Sequence, residues 1–329
     1  MARVDIVTTG GTIASRRDPE TETVRAAVDA EDLVAQVPPL ADLAEVRGHP
    51  FRLINSWDVT PAMMVELAGY LRRTVADDPP DGVVITHGTD TLEETAFALE
   101  LLTRDVPFPV VLTGAMLASD AAGADGPRNL LDAVRVATDP AARDLGVSVV
   151  LGGEVHAARY ATKTHTTALD TFASPDIGPV GRVDDGEVRI RWRPERVPAV
   201  ALDDLPTDVE VDLIRMVSGL GPRQLRAARD GDVAGVVVEG SGSGNVHNDV
   251  VAELEALVDA EVPVVLASRC IAGRVTPTYG GRGGGAELVE LGLISAGELS
   301  GSKARVALLL LRAGGADVAA VRRWFAAAG

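Results

Sequence analysis

Short apolar runs alternate along the chain with segments of helical length that are polar on one side. Residues 4–7, 51–54, 82–85, 110–113, 146–151 and 187–192 predict strands, and residues 60–76, 91–103 and 126–138 predict helices between them. In the second of these helices Leu92, Thr95, Ala96, Leu99 and Leu102 recur at helical spacing, leaving Glu93, Glu94 and Glu100 to face water or the first turn. Strand alternating with helix predicts an α/β fold: a larger N-terminal domain with a mostly parallel sheet flanked by helices. Residues 194–212 carry three prolines and several acids and read as a linker. Beyond them, residues 209–216, 235–239, 262–267 and 305–311 are apolar enough for strands, and 224–229, 248–259 and 318–328 suit helices. The expected organisation is therefore a large catalytic domain over 1–193, a linker over 194–213 and a smaller C-terminal α/β domain over 214–329.

Two of the predicted strands run directly into threonine-rich loops. Residues 4–7 lead into Thr8-Thr9-Gly10-Gly11-Thr12-Ile13-Ala14, and residues 82–85 lead into Thr86-His87-Gly88-Thr89-Asp90-Thr91. Open α/β sheets bind ligands at the carboxyl ends of their strands, and glycine lets a ligand approach backbone N–H groups closely. Hydroxyl-rich loops in that position suggest a hydrolase with a threonine nucleophile. Threonine needs a base to remove its proton. Lys163, within Thr162-Lys163-Thr164, is the candidate base, because burial and a paired carboxylate tune how a lysine exchanges protons. Taken by itself, Lys163 reads first as a surface residue of a threonine-rich loop and only second as a catalytic one. Ser56 and Asp58, just before Thr60-Pro61, read from their position as candidate caps of the following helix.

Composition narrows the function classes. The 329 residues hold 31 basic and 48 acidic side chains, a net charge of −17, which disfavours a nucleic-acid-binding surface. The apolar runs are too short to span a membrane. Met1 to Val7 enters a strand pattern at once, without an apolar leader and cleavage site, so a cytoplasmic location is expected. Cys270 is the single cysteine, which excludes an intrachain disulfide and a cysteine-rich metal site and reads as a buried or strand-end thiol. His49, His156, His165 and His247 lack metal-ligand spacing, and His87 reads as a hydrogen-bonded core histidine.

Thr9-Gly10-Gly11-Thr12-Ile13-Ala14 and His87-Gly88-Thr89-Asp90-Thr91 resemble the two signature blocks of the bacterial L-asparaginase and glutaminase family. The resemblance continues through Gly114-Ala115-Met116, the stretch from Ala124 to Leu130, Thr162-Lys163-Thr164, Gly240 to Asn245 and Lys303-Ala304-Arg305-Val306, and so covers nearly the whole chain. It implies a threonine amidohydrolase that cleaves L-asparagine, with weaker action on glutamine and no metal or organic cofactor. By the same resemblance Thr12 is the nucleophile, and Thr89, Asp90 and Lys163 complete the catalytic centre. Ser56 would hold the substrate α-carboxylate, and Asp90 its α-amino group. A homotetramer of two close dimers is implied, with Asn245, Tyr279, Arg282 and Glu287 as candidates to reach a neighbouring protomer's site. For Asn245 a left-handed or turn residue after Gly244 is the alternative, for Tyr279 burial in a glycine-hinged interface, and for Glu287 the start of a helix.

Two departures from the family pattern stand out. Residues 14–38 hold no tyrosine where the family carries one on its lid, although Asp18, Glu20 and Glu22 make that stretch polar. The family's cross-subunit glutamate is replaced by the stretch Tyr279 to Gly285. Two other functions fit the same residues: an ammonia-supplying subunit of a transfer-RNA amidotransferase, disfavoured by the acidic surface and the lack of a partner-binding N-terminal extension, and a noncatalytic amino-acid-binding module.

Overall fold

The computed structural model describes residues 1–17, 24–26, 35–206 and 208–329. The chain divides into two compact units, Met1–Arg196 and Val197–Gly329. In the first unit the strands are β1 Ala2–Gly10, β2 Ser15–Arg17, β3 Val24–Ala26, β4 Ala44–Ile54, β5 Gly82–Thr86, β6 Val110–Thr113, β7 Val147–Leu151, β8 Glu154–Ala157, β9 Thr162–Lys163, β10 Phe172–Ala173, β11 Gly181–Asp184 and β12 Glu187–Ile190. Its helices are α1 Leu40–Leu43, α2 Pro61–Asp77, α3 Leu92–Leu102 and α4 Gly126–Thr138.

Eight strands form one sheet in the order β12-β11-β8-β7-β6-β5-β1-β4. From β4 to β7 all pairs are parallel, and the remaining pairs are antiparallel. Every residue of β5, β6 and β7 is buried, as expected where both sheet faces are covered. Val4, Ile6, Val84 and Val111 pack with Leu130, Ala133, Val134 and Val136 of α4. On the other side α3 packs against β7 and against α2. Local sequence sets the helix starts: Thr60 caps α2 by accepting the Met63 N–H, with Pro61 at its first position. Asp58, the alternative cap, stays exposed in a short 3-10 turn. Asp125, just ahead of α4, accepts the N–H groups of Met116 and Leu117 at 2.9 Å each and so ties the loop after β6 to that helix.

The second unit holds a parallel sheet, β13 Val211–Arg215, β14 Gly235–Gly240, β15 Val264–Ser268 and β16 Ile294–Ser295, in sequential order. Its helices are α5 Arg223–Asp230, α6 Val251–Asp259, α7 Gly285–Glu290, α8 Gly301–Ala313 and α9 Val318–Ala328. The strand predicted over 305–311 is instead the body of α8. A run of four leucines carries no periodicity of its own, and the flanks decide. Ser300 accepts the Lys303 N–H as an N-cap and Gly314 closes the far end, giving a thirteen-residue helix rich in alanine, leucine and arginine. Within the stretch expected as a linker, Arg196 is held by Glu100 of α3 at 2.8 Å, and the Pro198 carbonyl accepts the Trp324 indole N–H of α9 at 3.0 Å. Cys270 lies exposed just past β15, so of the two readings the strand end holds and burial does not. Among the described residues no helix is long and apolar enough to cross a membrane.

Candidate active site

The sheet order places the two threonine loops side by side. β1 pairs with β4 on one side and β5 on the other, so the chain reverses direction across the sheet at β1, where open α/β sheets form a ligand crevice. Thr8 lies opposite Thr86 in register, so both strands end level. Gly10 and Gly11 then turn with φ of 101° and 85°, conformations that favour glycine, into a 3-10 turn over Thr12–Ala14. A Cβ on Gly11 would fall 2.3 Å from the Gly88 nitrogen, and one on Gly88 would fall 2.7 Å from Ser56 Oγ. Backbone contact between the loops therefore depends on both glycines. It brings the segments bearing Thr12, Ser56 and Thr89-Asp90 to one place at the carboxyl end of the sheet.

Lys163 joins this cluster from β9. Its Nζ donates to Thr89 Oγ1 at 2.8 Å and to Asp90 Oδ1 at 2.7 Å. The main chain of the same residue is held as well, its N–H donating to Glu93 Oε2 at 2.6 Å. The segment Thr89 to Glu93 thus grips the lysine at both ends. Ser56 is buried, accepts the Asp90 N–H on Oγ at 3.2 Å and the Thr91 hydroxyl on its carbonyl at 2.6 Å. Asp90, Glu93, Lys163, Thr164, His165 and Thr166 line an open depression beside these contacts. A hydroxyl, an ammonium and a carboxylate in one chain of hydrogen bonds can move a proton between them.

Beneath the cluster His87 is buried, with Nδ1 2.7 Å from the Gly88 carbonyl and Nε2 3.0 Å from Thr95 Oγ1. Burial holds the ring below the ordinary histidine pKa. This is the hydrogen-bonded core histidine expected from the sequence. Glu93 went unrecognised as part of the site, being read as a solvent or first-turn residue.

The candidates in the second unit are held in one loop system. Asn245 Oδ1 accepts the Gly285 N–H at 3.1 Å, and its main chain bridges to Ser241. Asn245 thus serves the turn, with positive φ falling on Gly242 and Gly244 instead. Glu287 lies in α7 and its carboxylate accepts the Gly283 N–H at 2.9 Å. Tyr279 and Arg282 are exposed on this unit. Asp18, Glu20 and Glu22 lie outside the described residues. Among the described residues no group of three or more His, Cys, Asp or Glu side chains is placed to hold a metal ion.

Comparison with known proteins identifies the family. The family model described as "Asparaginase, N-terminal" matches residues 3–196, and that described as "Glutaminase/Asparaginase C-terminal domain" matches residues 210–325. A probable L-asparaginase of Deinococcus radiodurans is 40% identical, over 99% of this chain and 97% of that protein. A glutamyl-tRNA(Gln) amidotransferase component of Thermococcus kodakarensis is 36% identical over 83% of this chain and 63% of its own length. The crystal structure of a probable cytoplasmic L-asparaginase from Campylobacter jejuni superimposes with a TM-score of 0.88 at 34% identity, covering 99% of this chain and all of that one. With both domain models matched in order and relatives aligned from end to end, the chain belongs to the asparaginase/glutaminase family of hydrolases.

Proposed function

We propose that the protein hydrolyses L-asparagine to L-aspartate and ammonia, with weaker action on L-glutamine. The observation that carries this reading is the Lys163 ammonium shared between Thr89 Oγ1 and Asp90, on a loop whose Gly88 abuts Gly11, the neighbour of Thr12. Thr12 Oγ attacks the side-chain amide carbon, and its proton leaves with the departing ammonia. The resulting ester is then cleaved by water, which returns the proton to Thr12 and releases the second carboxylate. Thr89, Lys163 and Asp90 relay protons in both halves, and backbone N–H groups stabilise the oxyanion. Ser56 and Asp90 hold the α-carboxylate and α-amino group of the substrate.

The same reading makes the working unit a cytoplasmic homotetramer of two close dimers. Tyr279 and Arg282, both exposed, are the side chains that would meet a neighbour, while Asn245 and Glu287 shape the loop that presents them. Ammonia release, assayed separately with L-asparagine and L-glutamine, tests the activity. Turnover of free L-asparagine by the purified chain supports it; ammonia released only with a partner protein would instead indicate an amidotransferase component, and tight binding without release a binding module.

A further inference from the structure

We propose that His87 is a positioning residue that aims the Thr89 N–H at the reacting oxygen by holding the preceding carbonyl inward. The inference rests on the amidohydrolase reading and adds to it a residue that touches no substrate. The Gly88 carbonyl offers only lone pairs, so the His87 nitrogen 2.7 Å from it, Nδ1, must carry the proton and donate. In a neutral ring Nε2 is then an acceptor, and the Thr95 hydroxyl 3.0 Å away is its donor. Thr95 therefore fixes the tautomer that grips Gly88. The ring is anchored from its own main chain too, since the His87 N–H donates to the Thr113 carbonyl at 2.9 Å.

The consequence follows from peptide geometry. No peptide bond among the described residues is cis, so the Gly88 carbonyl and the Thr89 N–H point in opposite directions. With the carbonyl drawn inward to a buried ring, the N–H is turned outward. Among the described residues it donates to no protein acceptor. It belongs to the residue whose hydroxyl meets Lys163. Glycine at position 88 would otherwise leave this peptide free to rotate, and a donor that rotates stabilises a transition state poorly.

Kinetics of His87→Leu, His87→Asn and Thr95→Val test this, alongside L-aspartate binding and thermal melts. Losing an oxyanion donor outright costs on the order of 10²–10³ in kcat, so a donor left in place but misaimed should cost about 10 to 100-fold. His87→Leu is expected to lose that much kcat with KM and L-aspartate affinity near the parent's, because the donor acts on the transition state. His87→Asn, whose amide N–H replaces the Nδ1 donor, is expected to restore most of kcat, and Thr95→Val to show a smaller loss. Equal losses in the Leu and Asn variants, a loss confined to KM, or parent kcat in His87→Leu would overturn the proposal. Should His87→Leu fail to fold, the other two variants decide: kcat kept in His87→Asn and lowered in Thr95→Val supports the proposal, and any other pattern overturns it. A parent protein that releases no ammonia from either amide would refute the activity itself, a result distinct from each of these.

Discussion

Replacing Lys163 with methionine separates chemistry from stability. The substitution keeps the four-atom unbranched stem and removes the ammonium that donates at 2.8 Å to Thr89 Oγ1 and 2.7 Å to Asp90 Oδ1. Loss of a positioned proton-transfer group costs on the order of 10²–10⁴ in rate, or about 3 to 5 kcal/mol of transition-state stabilisation at 1.36 kcal/mol per decade. The stability cost is far smaller. Asp90 is 50% exposed, so solvent screens the ion pair and water takes over its carboxylate, which limits the loss to about 0 to 1 kcal/mol. For a unit of this size that lowers Tm by no more than about 4 °C. Stopped ammonia assays with L-asparagine, paired with thermal melts of the same preparations, should show kcat reduced at least 100-fold in a protein melting close to the parent. A folded Lys163→Met with kcat within tenfold of the parent would refute the proton-transfer role. A collapse in Tm would instead show the lysine to be a structural tie.

Three further outcomes are expected. Glu93→Ala removes the acceptor of the Lys163 N–H and should lower kcat about tenfold, whereas Glu93→Gln keeps an oxygen acceptor and should stay near the parent; equal losses would contradict the anchoring role. Gly11→Ala adds a Cβ 2.3 Å from the Gly88 nitrogen at a φ of 85°, and should cost more than about 2 kcal/mol in a denaturant titration together with most activity; a parent-like midpoint would argue against the loop contact. Burial lowers the His87 pKa, so below its ordinary value of 6.5 the unfolded chain takes up a proton that the folded chain refuses. Its contribution to stability is full above that pH and is lost as pH falls, with a slope of up to about 1.4 kcal/mol per pH unit. Denaturant midpoints measured from pH 7 downward should fall less steeply in His87→Asn, and an unchanged slope would show that His87 is not the group responsible.

The sequence carried the central sheet because its strands are buried on both faces and therefore read as continuous apolar runs, as at Val110–Thr113. The same continuity misled at residues 305–311, where apolar residues all round mark a buried helix and only Ser300 and Gly314 reveal it. The two-residue strand Thr162–Lys163 passed unseen, since a short pair such as β9 with β10 is defined by its partner rather than by its own pattern. The two loops that meet at the candidate site were legible as threonine-rich segments directly after strands, at Thr8 to Thr12 and at Thr86 to Thr91. That Lys163 meets Thr89 across 74 positions is a fact of topology that spacing could not supply. Glu93 escaped notice because its partner is a main-chain N–H, and a backbone donor leaves no residue type to read.

Trapping with hydroxylamine tests the central claim most directly. An ester on Thr12 should partition between water and hydroxylamine, so the parent enzyme turning over L-asparagine is expected to form β-aspartyl hydroxamate while still releasing ammonia. Thr12→Ala should form neither product. Ammonia release by the parent without any hydroxamate, or hydroxamate formed by Thr12→Ala at the parent rate, would contradict a threonine acyl-enzyme at this site.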